Sequence, residues 1–192
     1  RRELELFSFF RHIKNLIDFT QLDRSQKRIV FYSEGKNYWV HLEGMVRAVL
    51  ENSDIPVCYV SSSVADPGLA LSHPNYHVFE IDESFVRNWL FENMQADVLV
   101  MSMPDLQQYQ VKRSKFDVHY VYVQHSLVSL HMVYREGAFD FFDTIFCAGP
   151  HHLKELRSLE EKYNLPKKQL VNHGYARLDA ILKEAENLKN RV

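Results

Sequence analysis

Glycine and proline are scarce, six of each in 192 residues, and no segment is of low complexity. With 46 % hydrophobic and 13 % aromatic residues, this excludes a fibrous, Pro-rich or disordered chain and describes a globular domain with a substantial core. Cysteine is scarcer still. Cys58 and Cys147 each sit in an apolar, strand-like run, so they read as buried free thiols in a reducing compartment, and a cytosolic location follows. An excess of positive charge is also missing: 23 Lys and Arg against 25 Asp and Glu leave a net charge of −2, which provides no electrostatic footprint for nucleic acid. The short run Lys112, Arg113, Lys115 reads as a solvated loop. No apolar window is long enough to span a bilayer, and the first residues lack a signal-peptide pattern. The chain does not open on Met, so a piece of a longer protein is expected.

Several catalytic signatures are absent too. Only Gly35 stands where a dinucleotide fingerprint or a phosphate-binding P-loop needs several glycines, and no G-x-S-x-G elbow appears. His119, His125 and His131 are six apart and His151-His152 are adjacent, a spacing that does not set metal ligands on one helix face. No D-x-D pair offers a metal bridge to a diphosphate. Neither a metal nor a cofactor is expected.

What is present is an alternation of strands and helices. Residues 4–19 place Leu6, Phe9, Phe10, Ile13, Leu16 and Ile17 at helical spacing opposite Arg11, Lys14 and Asp18. This amphipathic segment, residues 1–22, packs either on its own domain or on a membrane surface. Strands are predicted at 28–33, 56–61, 76–81, 97–101, in the run from 119, at 144–148 and at 169–172. Helices are predicted at 38–52, 83–95 and 151–163 and at the charged end of the chain, with a short loop, helical or irregular, at 104–109. Strands alternating with helices in this order predict an α/β domain over 23–192, with a doubly wound, mostly parallel sheet.

The most informative stretch is residues 119–130, H-Y-V-Y-V-Q-H-S-L-V-S-L. An apolar run that ends in Gln124, His125 and Ser126 looks like a buried strand delivering polar side chains to the sheet's carboxyl edge, where ligands collect in such folds. His125 is the candidate base, because an imidazole titrates near neutral pH and can take a proton from an attacking hydroxyl. The competing reading is a histidine that only caps the strand through a backbone hydrogen bond. Gly35 and Lys36, in the turn after the first strand, are candidates for an anion or acceptor contact beside Gly35's role in the turn. Arg135 and Glu136, close to His125 in sequence, are further candidates, Arg135 as a fork and Lys36 as a point charge for phosphate oxygens.

Three motifs together resemble a known family. V-Q-H-S-L-V-S, then F-D-F-F-D-T-I-F-C-A-G-P-H-H, then N-H-G-Y-A-R-L-D are similar to the amino-terminal lobe of the CDP-glycerol glycerophosphotransferases, enzymes that build teichoic acids and related bacterial surface polymers. The likeness covers about residues 28–182. It implies the first, Rossmann-like lobe of a GT-B fold, with a hydroxyl-bearing polymer or lipid-linked acceptor on this lobe and a CDP-activated donor on a second lobe. It places His125 on the family's base, Ser126 beside it, and Arg177 and Asp179 on the Arg and Asp of the last motif. It also implies a cytoplasmic enzyme peripheral on the inner membrane face. The sequence departs from the family pattern at Ser126-Leu127, where Gly and Thr are usual, and at Ala176, where Pro is usual. The alternatives are another GT-B enzyme, a sugar transferase or a UDP-N-acetylglucosamine 2-epimerase-like protein, and a non-catalytic binding domain.

Overall fold

The computed structural model describes residues 2–81, 85–109 and 111–190, with side chains from Phe7 onward. All seven predicted strands form: β1 (Ile29–Ser33), β2 (Val57–Ser61), β3 (Tyr76–Glu80), β4 (Val98–Met101), β5 (His119–Val123), β6 (Thr144–Cys147) and β7 (Gln169–Asn172). They pair in one all-parallel sheet of order β3-β2-β1-β4-β5-β6-β7. The order reverses between β1 and β4, the pattern of a Rossmann-like, doubly wound fold.

The strands read as nearly continuous apolar runs because both faces are covered. Val30, Tyr32, Cys58, Val60, Leu99, Met101, Tyr120 and Tyr122 point into one core. Against them lie α1 (Arg2–Gln21), α3 (Phe85–Glu92), α4 (Leu130–Val133) and α5 (Pro150–Lys162), which contribute Phe19, Leu90, Leu130 and Leu156. The intervening residues Phe31, Val57, Tyr59, Val100, Val121 and Val123 form the opposite core with Trp39, Leu42, Val46 and Leu50 of α2 (Trp39–Asn52). The last helix, α6 (Ala176–Lys189), touches α2 and buries none of its own residues. Both thiols are buried and free, and burial pushes Cys58 up to about 12 and Cys147 up to about 11, so neither is a nucleophile at neutral pH.

Two sequence expectations change, and the open reading of 104–109 resolves to an irregular loop. The apolar stripe of the first helix is rotated: His12 and Phe19 are buried and Ile13 and Leu16 pack on the core, whereas Phe10 and Ile17 face solvent. The rotation follows from β3, whose Glu80 accepts from Arg11 Nη2 at 2.8 Å and, through its carbonyl, from Asn15 Nδ2 at 2.8 Å. The Leu6 side chain lies outside the described residues, as does the predicted start of the third helix at Glu83. Arg113, read as part of a solvated loop, instead clamps the sheet. Its guanidinium lies 4.4 Å from the Tyr120 ring centroid and donates to Val118 O at 3.2 Å and Asp143 Oδ2 at 3.2 Å. The 104–109 loop is not helical: Asp105 and Gln107 take left-handed φ values of 63° and 70°.

The β2–β3 connection is organised by a buried carboxylate. Asp66 accepts from Ser61 Oγ at 2.7 Å, Tyr59 Oη at 3.0 Å and Gly68 N at 2.9 Å, so its charge is satisfied by three donors. Gly68 in turn lies flat on the Tyr59 ring, and a Cβ there would sit 2.5 Å from Tyr59 Cε1 and 2.7 Å from Trp39 Cε3. Gly68→Ala is therefore expected to lower stability by about 1 to 3 kcal/mol, the usual cost of overpacking a closed core. Urea unfolding measures this, and an unchanged midpoint would mean that the Tyr59 and Trp39 rings yield without cost.

Candidate functional site

The carboxyl edge of the sheet gathers polar groups from four elements. β1 ends at Ser33, whose hydroxyl donates to Gly35 O at 3.0 Å and accepts from Gly35 N at 3.3 Å, closing the turn that leads to α2. Gly35 has φ +156°, a conformation open to glycine, and a Cβ on it would touch Ser63 Cβ at 3.4 Å. The β4 strand runs into buried Ser102, and β5 into Gln124, His125 and Ser126.

The two neighbours of His125 in sequence point away from it. Gln124 is buried and its Nε2 donates to Ser126 Oγ at 3.2 Å and Tyr134 Oη at 3.3 Å. Ser126 and Tyr134 are themselves 3.3 Å apart, so Ser126 serves a clasp that fixes the strand end.

His125 itself is half-buried among aromatic rings. The ring centroids of Tyr38, His41, Tyr122 and Tyr134 lie 5.6, 6.1, 6.3 and 6.5 Å from its own, all close to edge-on. Tyr122 Oη sits 3.3 Å from His125 Nδ1, and Tyr175 Oη donates to the His125 carbonyl at 3.3 Å. Burial lowers the imidazole's pKa, and the Ser102 backbone partly offsets this. The ring is thus neutral at pH 7. With the ring proton on Nδ1, directed to Tyr122 Oη, Nε2 keeps its lone pair, the state a general base requires.

His41, in the first turn of α2, is the site residue that the sequence does not reveal. It is only 4 % exposed, and its Nδ1 has no hydrogen-bond partner among the described residues. Burial, with His125 and Arg177 adding repulsion, drives its pKa down to about 4. Its ring also packs 5.6 Å from that of Tyr175, tying α2 to the start of α6. The only sequence signal is position: a histidine three residues after Tyr38, where a helix begins above a strand's carboxyl end.

The remaining candidates divide into two groups. Arg177, exposed on the first turn of α6, is close enough to depress His41, and Lys36 is exposed on the turn after β1, so both lie along the edge that holds His125. Asp179 is exposed and acts on His173, raising a pKa that burial lowers. Arg135 and Glu136, by contrast, lie beyond Tyr134 and line a separate cavity, with Arg135 resting 5.0 Å from the Tyr109 ring centroid. Closeness in sequence to His125 does not bring them to its ring.

A cavity of about 490 Å³ opens where the strand order reverses. Glu34 from the end of β1 and Asp105 from the loop after β4 face it, with Arg87, Met103 and Tyr109. Asp105 leaves a buried Oδ1 without a hydrogen-bond partner among the described residues, on a backbone held left-handed by Asp105 N donating to Ala138 O at 2.9 Å. Backbone strain of this kind gathers at ligand sites. Ser102 links the two features, because its backbone raises the His125 pKa that burial lowers and the next three residues line the cavity.

Fold and edge together define a Rossmann-like domain whose carboxyl edge carries both a half-buried histidine and, at the switch point, a ligand-sized cavity. No family model, curated protein or solved structure matches the chain. Among the described residues no helix is long and apolar enough to cross a membrane.

Proposed function

We propose that this chain is the acceptor-side lobe of a metal-independent transferase, in which His125 deprotonates an acceptor hydroxyl for attack on a CDP-activated glycerol phosphate or a close analogue. The observation that carries this reading is the half-buried His125 ring at the carboxyl end of β5, with Nδ1 3.3 Å from Tyr122 Oη and its pKa lowered by burial, on the same sheet edge as the 490 Å³ switch-point cavity. The acceptor reaches from that cavity along the carboxyl edge and presents its hydroxyl to Nε2 of His125. The hydroxyl oxygen bonds to the β-phosphorus, the bond from that phosphorus to the bridging oxygen breaks, CMP leaves, and the proton passes to His125. A second lobe closes over the edge with the donor, whose phosphate oxygens meet the exposed charges of Arg177 and Lys36. Tyr38, Tyr134 and Tyr175 fix the base in orientation. The likeness of the three motifs to CDP-glycerol glycerophosphotransferases supports the donor class and a role in bacterial surface-polymer synthesis. The exposed Phe7, Phe10 and Ile17 of α1, beside Lys14, support a cytoplasmic enzyme resting on the inner membrane face.

The test is turnover by the intact protein with CDP-glycerol, CDP-ribitol and UDP-sugars, each with hydroxyl acceptors and with chelator present. Acceptor-dependent release of CMP is expected. Release of UDP from a UDP-sugar, with CDP-glycerol and CDP-ribitol left intact, would replace this assignment with a sugar transferase.

A further inference from the structure

A second site lies on the other side of Tyr134. Two adjoining cavities, of about 310 and 330 Å³, run along the outer side of α5 and share His131, Leu159 and Lys162. Their floor is apolar: Leu130, Phe139 and Leu156 are buried beneath it, and Leu159 and Leu165 are part of its wall. Cavities of this size with an apolar lining and a few polar groups hold small ligands.

The charges around the groove are unequal in a way that selects the ligand's sign. Two of the acids are spent on protein donors. Glu155 accepts from Leu130 N at 2.5 Å and lies 3.5 Å from His131 Nδ1. Glu160, only 5 % exposed, accepts from Arg157 Nη1 at 2.6 Å and from Lys168 N at 2.9 Å. Lys168 is turned inward, with Nζ donating to the Asp140 carbonyl at 2.9 Å and the Asp140 and Glu160 charges close by. At the solvent side stand Arg135, Lys154 and Lys162, opposed by the exposed carboxylate of Glu136, which acts on Lys162, and by half-buried Asp140, whose charge is shared with Lys168. The accessible rim is therefore cationic above an apolar trough.

We propose that this groove binds a small single-chain amphiphile with an anionic head, such as a medium-chain carboxylate. The chain lies over Leu130, Leu156 and Leu159, and the head meets Lys154 and Lys162. This site is independent of the transferase reading, since it uses no residue of the His125 edge except the far side of the Tyr134 ring.

The experiment titrates decanoate, decylamine and decanol into methyl-labelled protein and follows the leucine and alanine methyl resonances. Decanoate is expected to shift Ala138, Leu156 and Leu159 and to saturate. The Lys154→Glu/Lys162→Glu pair, both exposed positions that do not threaten the fold, is expected to weaken decanoate by about tenfold while leaving decanol unchanged. Leu159→Trp, checked for a native thermal transition, is expected to abolish both by filling the trough. Decylamine binding as tightly as decanoate, or decanoate shifting methyls elsewhere while those of the groove stay still, would overturn the assignment. These readouts need no turnover, so they stand whether or not the chain transfers glycerol phosphate.

Discussion

His125→Ala is expected to cut transfer turnover by about 10²- to 10⁴-fold, the usual contribution of a general base, while the protein remains folded. The fold should tolerate the change because the ring is only half-buried and its partners are neutral groups. Tyr122, which loses the contact with Nδ1, stays packed edge-on against the Phe139 and Phe142 rings. The pH profile separates a base from a spacer. A base must be unprotonated, and burial lowers the pKa of His125, so turnover should hold as pH falls below the ordinary histidine value of about 6.5 and drop only at the lower folded value. The alanine variant should lack that acid limb. Turnover within twofold of the parent, or an unchanged acid limb, would remove His125 from the chemistry.

The second large effect is on stability in acid, and it comes from His41. Its folded pKa of about 4 lies well below the value of about 6.5 for an exposed imidazole, so between those pH values the unfolded chain binds more protons than the folded one. The contribution is fully present above pH 6.5 or so, and is lost as pH falls toward 4. Over the whole window it amounts to about 3 kcal/mol, at 1.36 kcal/mol for each pH unit between the folded and unfolded values. Lowered pKa values at His125, His152 and His173 act in the same direction. Urea midpoints measured from pH 7.5 to 4.5 should fall steeply, and His41→Gln, a neutral side chain of similar reach, should flatten the slope. Identical slopes for the two proteins would show that His41 is not held neutral by the fold.

The sheet is legible in the sequence because both of its faces are covered, which turns each strand into an apolar run that needs no alternation to be recognised. Arg113 misleads for a different reason: three charges within four residues look solvated, and nothing local announces that one of them will find the Tyr120 ring and Asp143. The first helix is recognisable, but its inward face depends on Glu80 of a strand far along the chain, which periodicity alone does not reveal. The same limit applies to the site. His125 can be placed at a strand end from its own neighbours, whereas His41, Glu34 and Asp105 acquire meaning only when β1 and β4 lie side by side. Arg135 and Glu136 show the converse, being near His125 in the chain and turned to another cavity.

Six parallel pairings also mean that the sheet is built without a hairpin. The β1–β4 pair joins Ile29 to Val98, the widest separation of any neighbouring strands in this sheet. Residues 29–80 form one half-sheet, β3-β2-β1, and residues 98–172 the other, β4-β5-β6-β7. Each half can gather through its nearer crossovers, but the seam between them carries the largest loop-closure cost and belongs late in folding. Glu34 stands on one side of that seam, and Asp105 and His125 on the other. Amide exchange at β1 and β4 therefore reports on the integrity of the candidate site: an opening that parts the two half-sheets takes apart the carboxyl edge before either core has melted.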